Sequence, residues 1–322
     1  MTLFPKGKLI AIGGNEDKGS YPNPRAKRFY KLNFFELGIL KRFMLEMHQE
    51  CPRIEVITTA SMIPEEVGER YLSAFSLLNC ENVGLMHIGS EEAAQEPEYL
   101  ERLKAADGVL FSGGDQSRIT QMFLGTKFLE TLKHRYNTEE NFIIGGTSAG
   151  AMAMSRIMIR GGSVPNSLMK GSVKIGEGLS LQNNVIIDSH FVKRGRFGRL
   201  IEAVALHNNL IGIGLGEDTG VLITKGHFIE TIGSNLVVII DGHNIEHNNA
   251  PTADKGTPLS IENIELHVLA KGNVYDINTR EFYYDYEQHL EWKKSQQTAK
   301  TEPVIKPETE TETYQTPPED RL

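Results

Sequence analysis

At 322 residues, the chain can hold one large α/β domain or two smaller ones. Its 39% hydrophobic and 24% charged content are ordinary for a globular protein, and a net charge of −8 argues against a nucleic-acid-binding surface. No segment approaches the roughly 18 consecutive apolar residues of a membrane span, and the N-terminus lacks a signal-peptide pattern. With only two cysteines, Cys51 and Cys80, the sequence predicts a cytoplasmic protein that does not bind membranes.

In the first half of the chain, short apolar segments that end in glycine alternate with helical patterns. This alternation is typical of βα units and predicts a parallel sheet flanked by helices. The predicted strands cover residues 8–14, 53–61, 82–88, 108–114 and 142–150. The predicted helices cover residues 29–50, 65–79, 98–106 and 117–135.

The second half is richer in predicted strands. A strand over 183–191 precedes a helix over 196–208, and a run of extra short strands follows over 211–242. Because no change of composition divides the chain before about residue 290, we expect one domain over 1–297. Residues 298–322 contain six acidic residues, four prolines and little apolar mass, which predicts a disordered acidic tail.

One segment has the pattern of a catalytic turn. Residues 146–150, Gly-Thr-Ser-Ala-Gly, fit the G-x-S-x-G nucleophile elbow, with Ser148 between a predicted strand and helix-compatible residues. The backbone N–H of Ala149 would then be one oxyanion donor, and Gly114, at the end of another predicted strand, could supply the second. The alternative is a glycine-rich βα loop without a catalytic role.

A serine nucleophile requires a base and an acid that orients the base. Of the ten histidines, His190 stands out because it ends a predicted strand, where α/β enzymes place functional loops. A purely structural histidine is the alternative. Glu217, after the apolar segment "IGIGLG", is the candidate acid, and Asp218 beside it is the competitor.

A basic cluster follows His190 in this otherwise acidic chain: Lys193, Arg194, Arg196 and Arg199. Arginine binds carboxylates bidentately, so the cluster could form an anion pocket, although a solvated basic loop is the alternative.

Other motifs predict no cofactor and no metal. The segment "GGNEDKG" does not fit the dinucleotide-binding pattern, and we expect its Glu16 and Asp17 to cap a loop; the alternative is that they border the mouth of an active site. His243 and His247 lie among residues that favour a turn, so we expect neither to be a metal ligand.

Six segments together resemble the cyanophycinase family of serine peptidases, which are relatives of aspartyl dipeptidase (peptidase E). In family order and over roughly residues 7–285, they are "IGGNEDKG", "FSGGDQ", "GGTSAGAMAMS", "IIDSHFVKRGRFGRL", "IGIGLGEDTG" and "VIIDG". The resemblance implies a flavodoxin-like α/β fold akin to class I glutamine amidotransferases, and it suggests a homodimer. It also implies a nucleophile, Ser148, a base, His190, and an orienting acid, Glu217.

The resemblance further implies a substrate pocket formed by Gln116, Asp188, Ser189, Arg194, Arg196 and Arg199. Family chemistry cleaves peptide bonds of aspartyl residues without a metal. Its polymer substrate, cyanophycin, is a poly-aspartate chain whose β-carboxyls bear arginine, and the product is a β-aspartyl-arginine dipeptide.

The chain departs from the family pattern at Ser189, where cyanophycinases typically have glutamine. Serine is shorter and donates one hydrogen bond rather than two, so the departure concerns the substrate pocket and leaves the triad intact. Alternative functions are therefore an aspartyl dipeptidase or isoaspartyl peptidase, or, in a different class, a non-catalytic α/β binding protein.

Overall fold

The computed structural model describes residues 4–19, 33–162, 164–285 and 291. The described chain up to Tyr284 forms one compact unit. The predicted domain boundary near residue 297 and the predicted tail over 298–322 lie outside the described residues and stay predictions. Within the described ranges, no helix is both long and apolar enough to cross a membrane.

The described strands and helices alternate in the first half of the chain, and strands dominate the second. The strands are β1 (Lys8–Ile12), β2 (Ile54–Ile57), β3 (Val83–Met86), β4 (Gly108–Phe111), β5 (Ile143–Thr147), β6 (Ile157–Gly162), β7 (Val173–Glu177), β8 (Val185–Asp188), β9 (Ile211–Leu215), β10 (Thr219–Thr224), β11 (Phe228–Gly233), β12 (Val237–Asp241), β13 (His247–Asn248), β14 (Ile261–Glu262), β15 (Glu265–Leu269), β16 (Val274–Asp276) and β17 (Glu281–Tyr283). The α-helices are α1 (Phe34–Leu37), α2 (Ile39–Leu45), α3 (Pro64–Leu77), α4 (Pro97–Ala105), α5 (Gln116–Phe123), α6 (Lys127–Thr138), α7 (Ala149–Ala153) and α8 (Phe197–Leu206).

The larger sheet has nine strands in the order β17-β16-β11-β10-β1-β5-β4-β2-β3. Its half from β1 to β3 is parallel, and β10, β11, β16 and β17 extend it antiparallel. Alternate residues of β1 enter different buried clusters, Leu9 and Ala11 on one face, Ile10 and Ile12 on the other. Both faces are therefore covered, which explains the continuous apolar strands. The predicted flavodoxin-like parallel sheet flanked by helices is confirmed.

A second sheet was not distinguished in the sequence. It has four strands in the order β15-β12-β9-β8, with β8 and β9 parallel and the other pairs antiparallel. Helix α8 packs against it through Leu200 and Val204, which join Ile186 and Ile240 in one buried cluster. The functional segments that follow β8 and β9 therefore start from a separate sheet.

Three predicted elements need correction. The predicted helix 29–50 is interrupted at Gly38, whose extended backbone (ψ 150°) separates α1 from α2, while 29–32 lie outside the described residues. The predicted helix 117–135 is divided at Gly125 (φ +79°), and Thr126 caps the helix that follows. After Ser148 the helix ends at Ala153, because residues 157–162 instead form a hairpin strand paired with β7.

Candidate active site

Ser148 occupies the sharp turn between β5 and α7. Its backbone has φ 49° and ψ −105°, a left-handed conformation that is strained for a residue with a side chain. The turn is held by the N–H of Ser148, which donates to the carbonyl of Ile12 at 2.8 Å. A Cβ at Gly146 would lie 2.6 Å from the backbone of Gly150, so the turn requires glycine there. The local backbone thus fits the predicted nucleophile elbow.

The structure brings Ser148, His190 and Glu217 into one hydrogen-bonded chain. Nε2 of His190 lies 3.0 Å from Oγ of Ser148, and its Nδ1 lies 2.8 Å from Oε1 of Glu217. With Nδ1–H donated to the carboxylate, Nε2 of a neutral imidazole can accept the serine proton. The arrangement can activate a hydroxyl for nucleophilic attack.

Backbone contacts fix the position of His190. Its own φ is 47°, and its N–H donates to the carbonyl of Gly13 at 2.8 Å. Gly14, the residue after Gly13, has φ +100°, and a Cβ there would lie 2.5 Å from Nε2 of the imidazole of His190. The loop after β1 therefore supports the ring from one side and leaves no room for a larger residue.

Glu217, rather than Asp218, is the carboxylate that meets His190. Asp218 instead accepts the N–H of Asp17 at 2.9 Å and the hydroxyl of Ser234 at 2.6 Å. Asp218 thus ties the loop after β1 to the turn after β11. The sequence left these two neighbouring carboxylates open, and the geometry separates them.

Two further residues bind Glu217: Asn15, to which the sequence analysis gave no role, and Lys193, which it had counted in the basic cluster. Nδ2 of Asn15 donates to Oε1 at 2.7 Å, and Nζ of Lys193 donates to Oε2 at 2.7 Å. Partial burial would raise the pKa of Glu217, but the hydrogen bonds from Lys193, His190 and Asn15 outweigh it and hold the pKa below its ordinary value. Glu217 is therefore ionised at neutral pH.

The pKa of His190 is also below its ordinary value. Burial is the largest cause, the hydrogen bond to Glu217 opposes it, and the positive charges of Arg194 and Arg196 add to the lowering. The imidazole is therefore neutral at pH 7, which is the state a general base requires.

The two predicted oxyanion donors lie beside Ser148. Ala149 is the first residue of α7, and Gly114 lines the same cavity as Ser148. Gly114 has φ +146°, and a Cβ there would lie 2.0 Å from the carbonyl oxygen of Ala60. The second glycine of "FSGG" is thus needed for a close backbone approach.

The predicted substrate-pocket residues divide into two groups. Asp188 is fully buried and accepts Nε of Arg199 at 2.6 Å, Nη2 of Arg199, and Nη1 of Arg196 at 3.2 Å. Arg196 also donates to the carbonyl of Ser189 at 2.7 Å. Arg196 and Arg199 therefore both bind Asp188, whereas Arg194 lines the cavity.

Ser189 and Gln116 also make internal contacts. The hydroxyl of Ser189, a residue only 1% exposed, donates to Sδ of Met152 at 3.2 Å and lies 3.5 Å from Oγ of Ser148. The side chain of Gln116 donates to the carbonyls of Ile159 and Arg160 at 2.9 and 3.0 Å. The short serine side chain thus packs beside the elbow.

A cavity of about 440 Å³ opens over Ser148 and His190. Its wall includes Glu16, which the sequence analysis placed at most at the mouth of an active site, and Lys18 and Tyr71, to which it assigned no part. Glu16 was expected to cap a loop, yet it is buried against the elbow. The available signal was topological, because "GGNEDKG" follows β1, the parallel neighbour of the strand that carries Ser148.

Among the residues that the structure describes, one other group brings ligand-type atoms together. Single ligand atoms of Asp241, His243 and Glu265 lie within 4.8 Å of one another. However, Asp241 already accepts Tyr275 at 3.1 Å and Arg280 at 2.9 Å, and its other oxygen lies 3.0 Å from Nδ1 of His243. These contacts neutralise the buried carboxylate and explain the group as a structural ion pair.

Comparisons with known proteins converge on one family. The model for Peptidase family S51 matches residues 35–231, which include Ser148, His190 and Glu217. A cyanophycinase of Geminocystis herdmanii is 31% identical over 281 residues, 87% of this chain and 97% of that protein. A cyanophycinase of Synechococcus elongatus is 32% identical over 276 residues, 86% of this chain and 81% of the relative.

A solved structure of a peptidase from an acI-B1 actinobacterium resembles the fold. It matches with a TM-score of 0.57 and 20% identity, covering 85% of this chain and 98% of that chain. At this identity the likeness supports the α/β architecture alone.

Proposed function

This chain belongs to peptidase family S51 and is a serine-type peptidase, and from that premise we propose that it is a cyanophycinase-like enzyme with Ser148, His190 and Glu217 as its triad. The observation that carries the assignment is the continuous hydrogen-bonded chain of these side chains, with links of 3.0 and 2.8 Å. They come from segments far apart in sequence, so their convergence is a property of the fold.

The mechanism follows from the positions of these atoms. Oγ of Ser148 attacks the scissile carbonyl carbon while Nε2 of His190 accepts its proton, and the tetrahedral oxyanion accepts hydrogen bonds from the backbone N–H groups of Ala149 and Gly114. His190 then protonates the leaving amine, and an acyl-enzyme forms. Water hydrolyses this ester by the reverse sequence of proton transfers, and Glu217 orients and stabilises the imidazolium throughout.

The proposed substrate is an aspartyl peptide of the cyanophycin type, from which the enzyme releases β-aspartyl-arginine. Support comes from the cyanophycinase relatives and from the cations that line the cavity, namely Lys18, Arg70 and Arg194. Such a wall attracts carboxylates. Among the arginines of the basic cluster, we assign direct substrate contact to Arg194, and we assign Arg196 and Arg199 to holding the loop through Asp188.

The experiment that tests this function compares substrates on the intact enzyme. Cyanophycin granules and a set of aspartyl dipeptides are incubated with the enzyme and with its Ser148→Ala variant, and products are identified by mass spectrometry. Release of β-aspartyl-arginine by the unaltered enzyme alone supports the proposal. Cleavage of dipeptides without release from the polymer would instead identify an aspartyl dipeptidase. Turnover retained by Ser148→Ala would refute the triad.

Cytoplasmic residence, homodimer formation and independence from metal remain predictions from the sequence. Full activity in the presence of EDTA is the expected result for the last of these.

A further inference from the structure

A lysine reaches the active-site cavity from the loop after β1. Nζ of Lys18 donates to Oε1 of Glu16 at 2.7 Å and lies 4.7 Å from the centroid of the Tyr71 ring. The lysine side chain is 24% exposed and belongs to the wall of the cavity that contains Ser148. An ammonium group has three N–H donors, and one hydrogen bond is formed within the described residues. Donor capacity thus remains at the cavity surface.

Glu16 fixes the position of this lysine and takes no ligand itself. Its side chain is 1% exposed, and its oxygens accept hydrogen bonds from Tyr71 at 2.5 Å, from Thr147 at 2.6 Å and from Lys18. Burial would raise the pKa of Glu16, but Lys18, Thr147 and Tyr71 outweigh it and lower the pKa, so the carboxylate is charged. Because Thr147 directly precedes the nucleophile, one buried carboxylate links the elbow to the lysine.

The charges around the cavity favour an anion. Its wall carries the cations Lys18, Arg70 and Arg194 and the carboxylate of Glu16. That carboxylate already has three donors, so a substrate guanidinium would have to displace Lys18 to reach it. Arg70 is 61% exposed and pairs with Glu66 on the surface. Lys18, by contrast, is partly buried and is connected to the elbow through Glu16, whereas Arg194 is the other cation of the wall. A hydrogen bond to a charged group is stronger in a partly buried setting.

We propose that Lys18, held by Glu16, is a specificity-determining residue that binds a carboxylate of the aspartyl substrate beside Ser148. The proposal rests on the proposed function and extends it, because it identifies what the substrate must present at this wall. The ligand class is a substrate carboxylate, either the C-terminal backbone carboxylate or the carboxylate of the attached amino acid.

The test compares the Lys18→Met variant with a matched control, Lys8→Met. Lys8 makes an equally short 2.7 Å ion pair with Glu46 in a different part of the chain. The substrates are a synthetic dimer of the β-aspartyl-arginine repeat with free carboxyls, an amide of its backbone terminus, and an amide of its arginine carboxyls. For the free dimer, Lys18→Met should raise KM roughly 10- to 100-fold with kcat little changed, the loss expected for a hydrogen bond to a charged group.

The amides identify the carboxylate. For the amide that lacks the recognised group, the unaltered enzyme should itself show a raised KM, and Lys18→Met should add almost nothing. Lys8→Met should leave all three KM values unchanged, and Lys18→Arg should restore most of the affinity. The proposal would be overturned if Lys18→Met raised KM equally for all three substrates, or if it changed KM for none of them.

A fluorophosphonate probe separates this proposal from the assignment of the triad, because the probe has no carboxylate. Ser148 should be labelled at the same rate in the unaltered enzyme and in Lys18→Met. Failure to label the unaltered enzyme counts against the triad. If Lys18→Met is labelled normally and its KM values for the three substrates match those of the unaltered enzyme, only the role of Lys18 is contradicted. If loss of Lys18 unfolds the protein, the double variant Lys18→Met/Glu16→Gln removes both charges together, and the same KM pattern is expected.

Discussion

The two sheets contribute to the proposed active site in different ways. The nine-stranded sheet supplies Ser148 after β5 and Gly114 after β4, and the four-stranded sheet supplies His190 after β8 and Glu217 after β9. On the first side, close backbone approaches at glycines set the geometry. On the second side, hydrogen bonds and ion pairs set it, among them Asp188–Arg199 and Lys193–Glu217.

The two sides meet at the loop after β1. The N–H of Gly13 donates to the carbonyl of Thr219 at 2.8 Å, and its carbonyl accepts the N–H of His190 at 2.8 Å. Around Ser148 the constraints are mainly close backbone approaches, supplemented by the hydrogen bond of Thr147 to the buried Glu16, so we expect pH and salt to change this geometry less. The base side depends on charges, so we expect it to respond to both.

Removing the proposed nucleophile or the proposed base should have the largest effect. We expect Ser148→Ala, His190→Ala and the double variant each to lower kcat by about 10⁴- to 10⁶-fold, because the residues of a triad act as a unit. The check is kcat on the cyanophycin dimer, with circular dichroism as the control for folding. A double variant much slower than either single variant would show that the two sides act independently.

Breaking the buried ion pair of the second sheet should reduce stability. Asp188→Asn leaves the guanidinium of Arg199 buried without its anion, and we expect a loss of about 3–5 kcal/mol in the free energy of unfolding. Urea denaturation measures it. The matched control is Glu101→Gln, which breaks the exposed 2.7 Å pair with Lys104 and should cost less than about 1 kcal/mol. Equal losses in both variants would contradict the ionic account of this side.

A larger residue in the loop after β1, where the two sides meet, should move His190 away from Ser148. In Gly14→Ala the new Cβ would lie 2.5 Å from the imidazole, and the alanine would have to adopt a φ of +100°. We therefore expect His190 to move away from Ser148. A misplacement of about 1 Å can lower the rate roughly 10²-fold. The control is Gly89→Ala, where a Cβ meets no atom within 4 Å. Unchanged kcat in Gly14→Ala would show that the loop after β1 does not position His190.

The same division explains what the sequence could predict. The nucleophile elbow is a motif of five contiguous residues, so Ser148 and its flanking glycines could be identified from the sequence. The parallel sheet could also be predicted. His190 was identifiable because it ends a strand. The choice between Glu217 and Asp218 depends on a left-handed turn (φ 49° at Asp218), which two adjacent carboxylates do not encode.

Pairing across the fold was the least visible feature. The basic cluster after His190 suggested a substrate pocket, which stays a prediction. That the buried Arg199 binds Asp188 is a contact that no periodicity in the sequence reveals. Glu16 was expected to cap a loop, because its partner Thr147 is 131 positions away in the sequence. The second sheet was seen as separate short strands, since strand order is not a local property of sequence.

The smallest predicted effect concerns Lys193, which donates a hydrogen bond to Glu217. Activity requires neutral His190, so kcat/KM should fall as the pH drops through the pKa of His190, which lies below the ordinary 6.5. Lys193 neutralises part of the Glu217 charge at 2.7 Å, and in Lys193→Met the full carboxylate stabilises the imidazolium. The pKa of His190 therefore rises, and the acid limb of the profile moves to higher pH.

Because the Lys193 side chain is 66% exposed, we expect this shift to be only a few tenths of a pH unit, and smaller at high salt. The pH profile of kcat/KM at low and high ionic strength measures it. Lys104→Met, which removes an exposed lysine with the same 2.7 Å ion-pair distance, is the matched control and should leave the profile in place. A shift toward lower pH would mean that Lys193 raises the basicity of His190, and the charge-dependent account of the second side would then be wrong.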